Sequence, residues 1–187
     1  MEKKVYYLIK KVPSSDSFIN LLSCKLISYC KAKYKGENLN LSLYAWYIIL
    51  TITKLNFDDV RFLENGKPLV KGFAISISHS KNAVFIAYSK DVSNIGIDIE
   101  FIDENKNVEI FKNLSKDFLN VDKKTFYNKW TEREAYIKTL NEKVFKIKDY
   151  HFKGITQNVK IDEDLYSTSI YAENNINFIK VDYEDNI

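Results

Sequence analysis

The stretch LNLSLYAWYIILTITKL, residues 39–55, does most to limit the folds open to this chain. It is apolar nearly all round and long enough for a central helix, and a helix without a polar face must be covered on every side. The other elements therefore have to be arranged around it. At 187 residues, with 45% hydrophobic and 28% charged side chains, the chain can supply that cover within one domain or two small, closely packed lobes. Thirteen Tyr and twelve Phe provide much of the core, against only five Gly and two Pro. The most apolar part, residues 43–52, is too short to span a bilayer.

Around this helix the sequence predicts a mixture of elements. KVYYLIK (4–10) has strand composition, and residues 17–35 carry apolar side chains at 18, 22, 26 and 29, a helical spacing. VRFLENGKPLV (60–70) reads as a hairpin, with Asn65-Gly66 favouring a positive-φ turn. FAISISHS (73–80), AVFIAYS (83–89) and IGIDIE (95–100) read as strands. A polar stretch of short helices and loops is expected over 101–124, then a helix from about Thr125 to Leu140. The tail holds strand-like pieces, YHFKGI, STSIYA and NFIKVDY. Helices and strands follow one another without regular βαβ alternation, so the class expected is α+β.

A net charge of +3 is too small for an ordinary duplex-DNA binder, so no nucleic-acid partner is expected. The opening MEKKVYYLIKKVPSSD lacks the apolar stretch of a signal peptide. A cytoplasmic protein with no membrane partner is expected. Cys24 and Cys30 have no partner pair at metal or redox spacing, and read as idle thiols.

Two stretches carry the chemistry. In GIDIE, alternate residues share a strand face, so Asp98 and Glu100 point together while Ile97 and Ile99 point into a core. Two carboxylates at 4 Å repel by ~4 kcal/mol at an effective dielectric near 20. An exposed face would tolerate that; an enclosed one calls for a divalent cation or a shared proton. On the helix that carries KWTEREAYIK (129–138), Phe126, Trp130, Glu134 and Lys138 follow an i, i+4 ladder. Alone, that pattern suits a surface Glu–Lys pair worth about 0.2–0.5 kcal/mol. Together, three carboxylates on a strand and a facing helix suit Mg²⁺, which takes oxygen ligands and keeps waters for substrate phosphates. Lys138, one turn beyond Glu134, could then reach a phosphate or a departing oxygen.

GIDIE followed by KWTEREAYIK resembles the phosphopantetheinyl transferases, whose motif pair is GxDxE and WxxKExxxK. ENGKPLV before a strand and SISHS ahead of GIDIE fit the same family, so the likeness runs from about residue 60 to 140. With GIDIE in mid-chain, the chain looks like the two-lobed members typified by the surfactin-synthetase activator. The resemblance implies a pseudo-dimer of two similar α/β lobes, 1–93 and 94–187, with coenzyme A in the cleft between them. It also implies a monomer that transfers 4′-phosphopantetheine from coenzyme A to a serine of an acyl or peptidyl carrier protein, releasing 3′,5′-ADP. Polyketide, nonribosomal-peptide and fatty-acid carriers are the partner class.

By the same resemblance Asp98, Glu100 and Glu134 hold Mg²⁺, Glu134 takes the serine proton, and Lys138 stabilises the phosphorus centre or the leaving group. Lys67, Ser78 and His79 would contact the nucleotide end of coenzyme A, and the KAKYK run (Lys31, Lys33, Lys35) would add positive charge, Lys31 foremost. Four features depart from the family pattern, one of them a shortened C-terminal half. No arginine opens the second helix, Arg133 stands where lysine is usual, and no glycine follows Lys138 before Gly154. Two other readings of the same acids are a metal-dependent phosphodiesterase or nuclease and a non-catalytic coenzyme A- or carrier-binding relic.

Overall fold

A computed structural model of the chain describes residues 2–63, 66–115, 118–140, 151–173 and 176–184. In chain order the elements are β1 (Lys3–Lys11), α1 (Cys24–Lys33), α2 (Glu37–Thr53), β2 (Val60–Phe62), β3 (Pro68–Val70), β4 (Ala74–Ser80), β5 (Ala83–Ser89) and β6 (Ile95–Phe101). They continue with α3 (Lys123–Leu140), β7 (Ile155–Ile161), β8 (Asp164–Ala172) and β9 (Ile176–Lys180). Short 3-10 turns lie at Ser17–Leu21, Phe57–Asp59 and Glu109–Leu114. The class is α+β, and no helix among the described residues is long and apolar enough to cross a membrane.

Four layers stack as helices, sheet, sheet, helix. One sheet has strand order β4-β5-β1-β9, the other β6-β8-β7, and β2 and β3 pair as a separate hairpin. α2 is buried as its composition demands. Tyr44, Ala45 and Ile48 are fully covered, packed with Leu8, Ile75, Val84 and Ile86 from one face of the first sheet. The other face of that sheet presents Val5, Tyr7 and Phe85 to Ile97, Ile99 and Ile170 of the second. The last strand, β9, returns to pair in parallel with β1, so the chain's second half completes the first half's sheet.

Two sequence expectations need correction. Residues 17–35 form a 3-10 turn and then α1 rather than one helix. Ser23 has extended backbone and its hydroxyl accepts from the Leu26 amide at 3.3 Å, so it caps a new helix where the apolar spacing alone ran straight through. Of YHFKGI, Tyr150 lies outside the described residues, 151–154 are not strand, and only Ile155 opens β7. There Phe152 packs its ring on Tyr171, and the ladder with β8 begins only at Ile155, opposite Ile170. The hairpin at 60–70 forms with Val60 opposite Val70, and Gly66 has φ +82°; Asn65 lies outside the described residues.

The face of the second sheet that meets α3 is polar from edge to edge. Cross-strand rows read Asp98–Ser169–Thr156 and Glu100–Ser167–Asn158. Thr131 of α3 plugs into them, its hydroxyl 3.0 Å from Ser167 Oγ and 2.8 Å from Ser169 Oγ. One turn on, Gly96 lets the strand approach the helix backbone; a Cβ there would stand 1.8 Å from the Ala135 carbonyl oxygen. Replacing Thr131 by Val keeps the shape but leaves the buried serine hydroxyls short of a partner. The expected cost is about 1–3 kcal/mol, read by urea unfolding, with Thr131→Ser close to wild type.

Candidate active site

β4 and β6 are each the edge strand of their own sheet, and the two edges run beside each other without a ladder. Side chains satisfy the exposed backbone instead. The Phe101 amide donates to Ser80 Oγ at 3.0 Å, and Lys138 donates to the Ile97 carbonyl at 2.9 Å. Along this seam the acids predicted from the sequence are enclosed. Asp98 is only 5% exposed, which removes the reading of GIDIE as a solvated strand face.

Asp98 Oδ1 accepts from Ser78 Oγ at 2.8 Å and from Lys138 Nζ at 2.7 Å. Its Oδ2 is buried with no protein partner. Glu100 accepts from Ser80 Oγ at 3.1 Å. Burial, then the nearby Asp98 charge, pushes the Glu100 carboxyl up to about 7. The same two causes in the same order push Glu134 to about 7, partly opposed by Lys138. The Asp98 charge thus acts on both glutamates, and α3 faces Glu134 toward the same seam because Thr131 and Ala135 pin the helix there.

Beside the seam opens a cavity of about 670 Å³, lined by Ser78, Glu134 and Lys138 and by an aromatic group in which Tyr29 and Trp46 both pack on Phe62. Lys67 and His79 also line it. His79 points to the opposite face of β4 from Ser78, as adjacent strand residues must, and its Nε2 lies 3.3 Å from Ser42 Oγ of α2. The cavity reaches both residues because β4 is an unpaired edge. Burial, then Lys138, holds the imidazole below its ordinary value, so it is neutral at pH 7. Lys67 donates to Asn94 Oδ1 and to the Lys138 carbonyl, each at 2.7 Å, tying the hairpin loop to the end of α3. Burial pulls its ammonium down to about 8.

Of the predicted residues, Lys31 is not brought to this place. It is exposed, and Lys33 lines the cavity instead. Two positions apart on a helix face roughly opposite ways, so a run of alternating lysines puts only some on a given side. Lys33 Nζ lies 5.8 and 5.4 Å from the ring centroids of Tyr29 and Tyr34 and rests against Gly66, where a Cβ would come within 2.3 Å of it. Sequence reasoning also missed Ser80, Ser42 and Asn94. Ser80 was within reach of it, since Ser78 and Ser80 share a strand face; Ser42 and Asn94 carry no local signal. Cys30 is buried, which pushes its thiol up to about 11, and Cys24 is exposed on the same helix.

The acidic site suits a hard divalent cation by its donor chemistry: every ligand offered is a carboxylate oxygen, and Asp98 Oδ2 is buried without another partner. Among the described residues, no three such side chains are gathered closely enough to hold an ion as they stand. The Lys138 ammonium supplies the compensating charge. A pH prediction follows from the two glutamates. They keep their protons to about pH 7 when folded but ionise near the ordinary 4.5 when unfolded, so the folded state binds more protons in between. Stability in chelator should therefore fall as pH rises from 5 to 7, by up to about 1.4 kcal/mol per pH unit for each group. His79 works in the opposite direction below its ordinary value, so the comparison is wild type against Glu100→Gln/Glu134→Gln. The double variant should lose this falling component; parallel curves would refute it.

Compared with protein-family models and with curated proteins, the chain finds no match in either.

Proposed function

We propose that the protein transfers 4′-phosphopantetheine from coenzyme A to a carrier-protein serine, with Mg²⁺ at Asp98, Glu100 and Glu134. One observation carries the reading. Side chains from the β2–β3 loop, β4 and α3 line a single cavity, and Asp98 of β6 bonds directly to two of them, Ser78 and Lys138. These are the segments in which the sequence resembles the transferases, and they are as far apart as 71 residues along the chain. The stacking of two sheets with helices on their outer faces supports a two-lobed reading, with β9 of the second half crossing into the first half's sheet.

In this reading the aromatic group lining the cavity takes the nucleotide base, and Lys33, Lys67 and the neutral His79 with Ser42 meet its phosphates and ribose. Mg²⁺ would neutralise charge on the diphosphate. Glu134, with a carboxyl near neutrality, accepts the proton of the attacking serine, directly or through a water. The serine oxygen bonds to the pantetheine-side phosphorus as the bond to 3′,5′-ADP breaks. Lys138 meets the negative charge that develops on the transferring phosphoryl and the departing phosphate.

The test is incubation of the protein with coenzyme A, Mg²⁺ and an apo carrier. A mass gain of one phosphopantetheine on the carrier is expected, and its loss on adding chelator. Cleavage of phosphodiesters without carrier modification, or coenzyme A binding without transfer, would replace the proposal.

A further inference from the structure

Lys138 is placed differently from a residue that simply waits for a phosphate. Its ammonium makes three bonds inside the seam, to Asp98 Oδ1 at 2.7 Å, the Ile97 carbonyl at 2.9 Å and Ser78 Oγ at 3.1 Å. The side chain is 31% exposed against 7% for Asp98, and it also lines the cavity. One end of its possible travel is therefore the acid and the other is open space. A buried carboxylate left alone is costly, and among the described residues Lys138 is the only cation paired with Asp98 by an ion pair. We infer that Lys138 is the internal counter-ion of the acidic site, competing with a divalent cation for Asp98 and moving into the cavity when the cation is held. This rests on the reading of Asp98, Glu100 and Glu134 as a cation site, and adds that Lys138 sets its affinity.

The physical ground is charge. An ammonium on one oxygen of Asp98 repels a dication on the other across a few ångströms of poorly solvated space, where such terms are several times larger than in water. The unpartnered Oδ2 gives the cation a place to arrive, and the flexible lysine stem gives the ammonium a way out. The same movement would carry the positive charge toward the bound phosphates, so one residue would compensate the acid first and the substrate afterwards.

The measurement is Mn²⁺ binding to the full chain without coenzyme A, followed by the loss of the free-ion EPR signal. Lys138→Met keeps length and removes charge, and should bind Mn²⁺ about tenfold more tightly or better. Lys138→Arg should stay near wild type, and Asp98→Asn should abolish saturable binding. Equal or weaker binding by Lys138→Met, with wild type still binding, would overturn the counter-ion role while leaving the cation site in place. No saturable binding by either protein would overturn both. Should Lys138→Met fail to fold without metal, the wild type still decides the matter. Reductive methylation of Lys138, read by peptide mass, should be slow in chelator and faster with Mg²⁺, and an unchanged rate would refute the movement.

Discussion

Glu134→Gln should leave a folded protein that transfers about 10²–10³ times more slowly at saturating coenzyme A, the scale on which loss of one preorganised charge usually appears. The substitution keeps volume and helix but removes both the charge and the proton acceptor. It should not destabilise the protein at neutral pH, because the carboxyl it replaces is already pushed up to about 7. Lys138→Met should lose turnover on the same scale, with a different companion effect. The sequence alone valued this lysine at a few tenths of a kcal/mol as a helix-face ion pair. Its bond to the buried Asp98 makes the cost in chelator roughly 3 kcal/mol, an uncompensated buried charge, and Mg²⁺ should restore much of it. Turnover and urea unfolding, each with and without Mg²⁺, check both variants. Near wild-type turnover in both would remove α3 from the chemistry.

Gly96→Ala should be the most destabilising single methyl addition near the site. Its new Cβ would sit 1.8 Å from the Ala135 carbonyl oxygen and 3.1 Å from Thr139 Cγ2, so strand and helix backbone must part. Neither can yield locally: β6 is laddered to β8 along its length, and Thr131 holds α3 one turn away. Overpacking of ordinary cores costs about 1–3 kcal/mol, and a clash with backbone belongs at or above the top of that range. For a chain of this size each kcal/mol lowers Tm by roughly 2–4 °C. A fall of roughly 10 °C is expected, together with loss of transfer, because α3 carries Glu134 and Lys138. Gly72→Ala is the control. There the cost is backbone strain at φ +82° alone, with nothing within 4 Å, and transfer should persist.

Much of the architecture was legible in local pattern. An apolar stretch without a polar side had to be a buried helix, and α2 is one. Strict alternation in GIDIE put Ile97 and Ile99 into the core between the sheets and the two acids on the far face. The i, i+4 ladder of α3 runs from the aromatic cluster of Phe118, Phe126 and Trp130 to Glu134 and Lys138 at the cavity. Periodicities of 2.0 and 3.6 residues follow from backbone geometry alone, which is why they can be read without knowing what lies opposite. What they cannot supply is the other side of each contact. Ser23 ended a helical pattern through a hydroxyl that competes with the backbone, and Lys33 rather than Lys31 reached the cavity through the azimuth of α1.

The larger differences arose where two edges or faces meet. The polar bed beneath α3 is built from β6, β7 and β8, whose serines and threonines look like ordinary strand residues until the register aligns them with Asp98 and Glu100. The chain itself determined that there would be three carboxylates and a lysine at strand and helix spacing. Only the packing of one sheet edge against another decided that Asp98 would be buried, and that Lys138 would neutralise it. A charge takes its cost and its partner from the solvent it loses, and that loss is settled by tertiary structure.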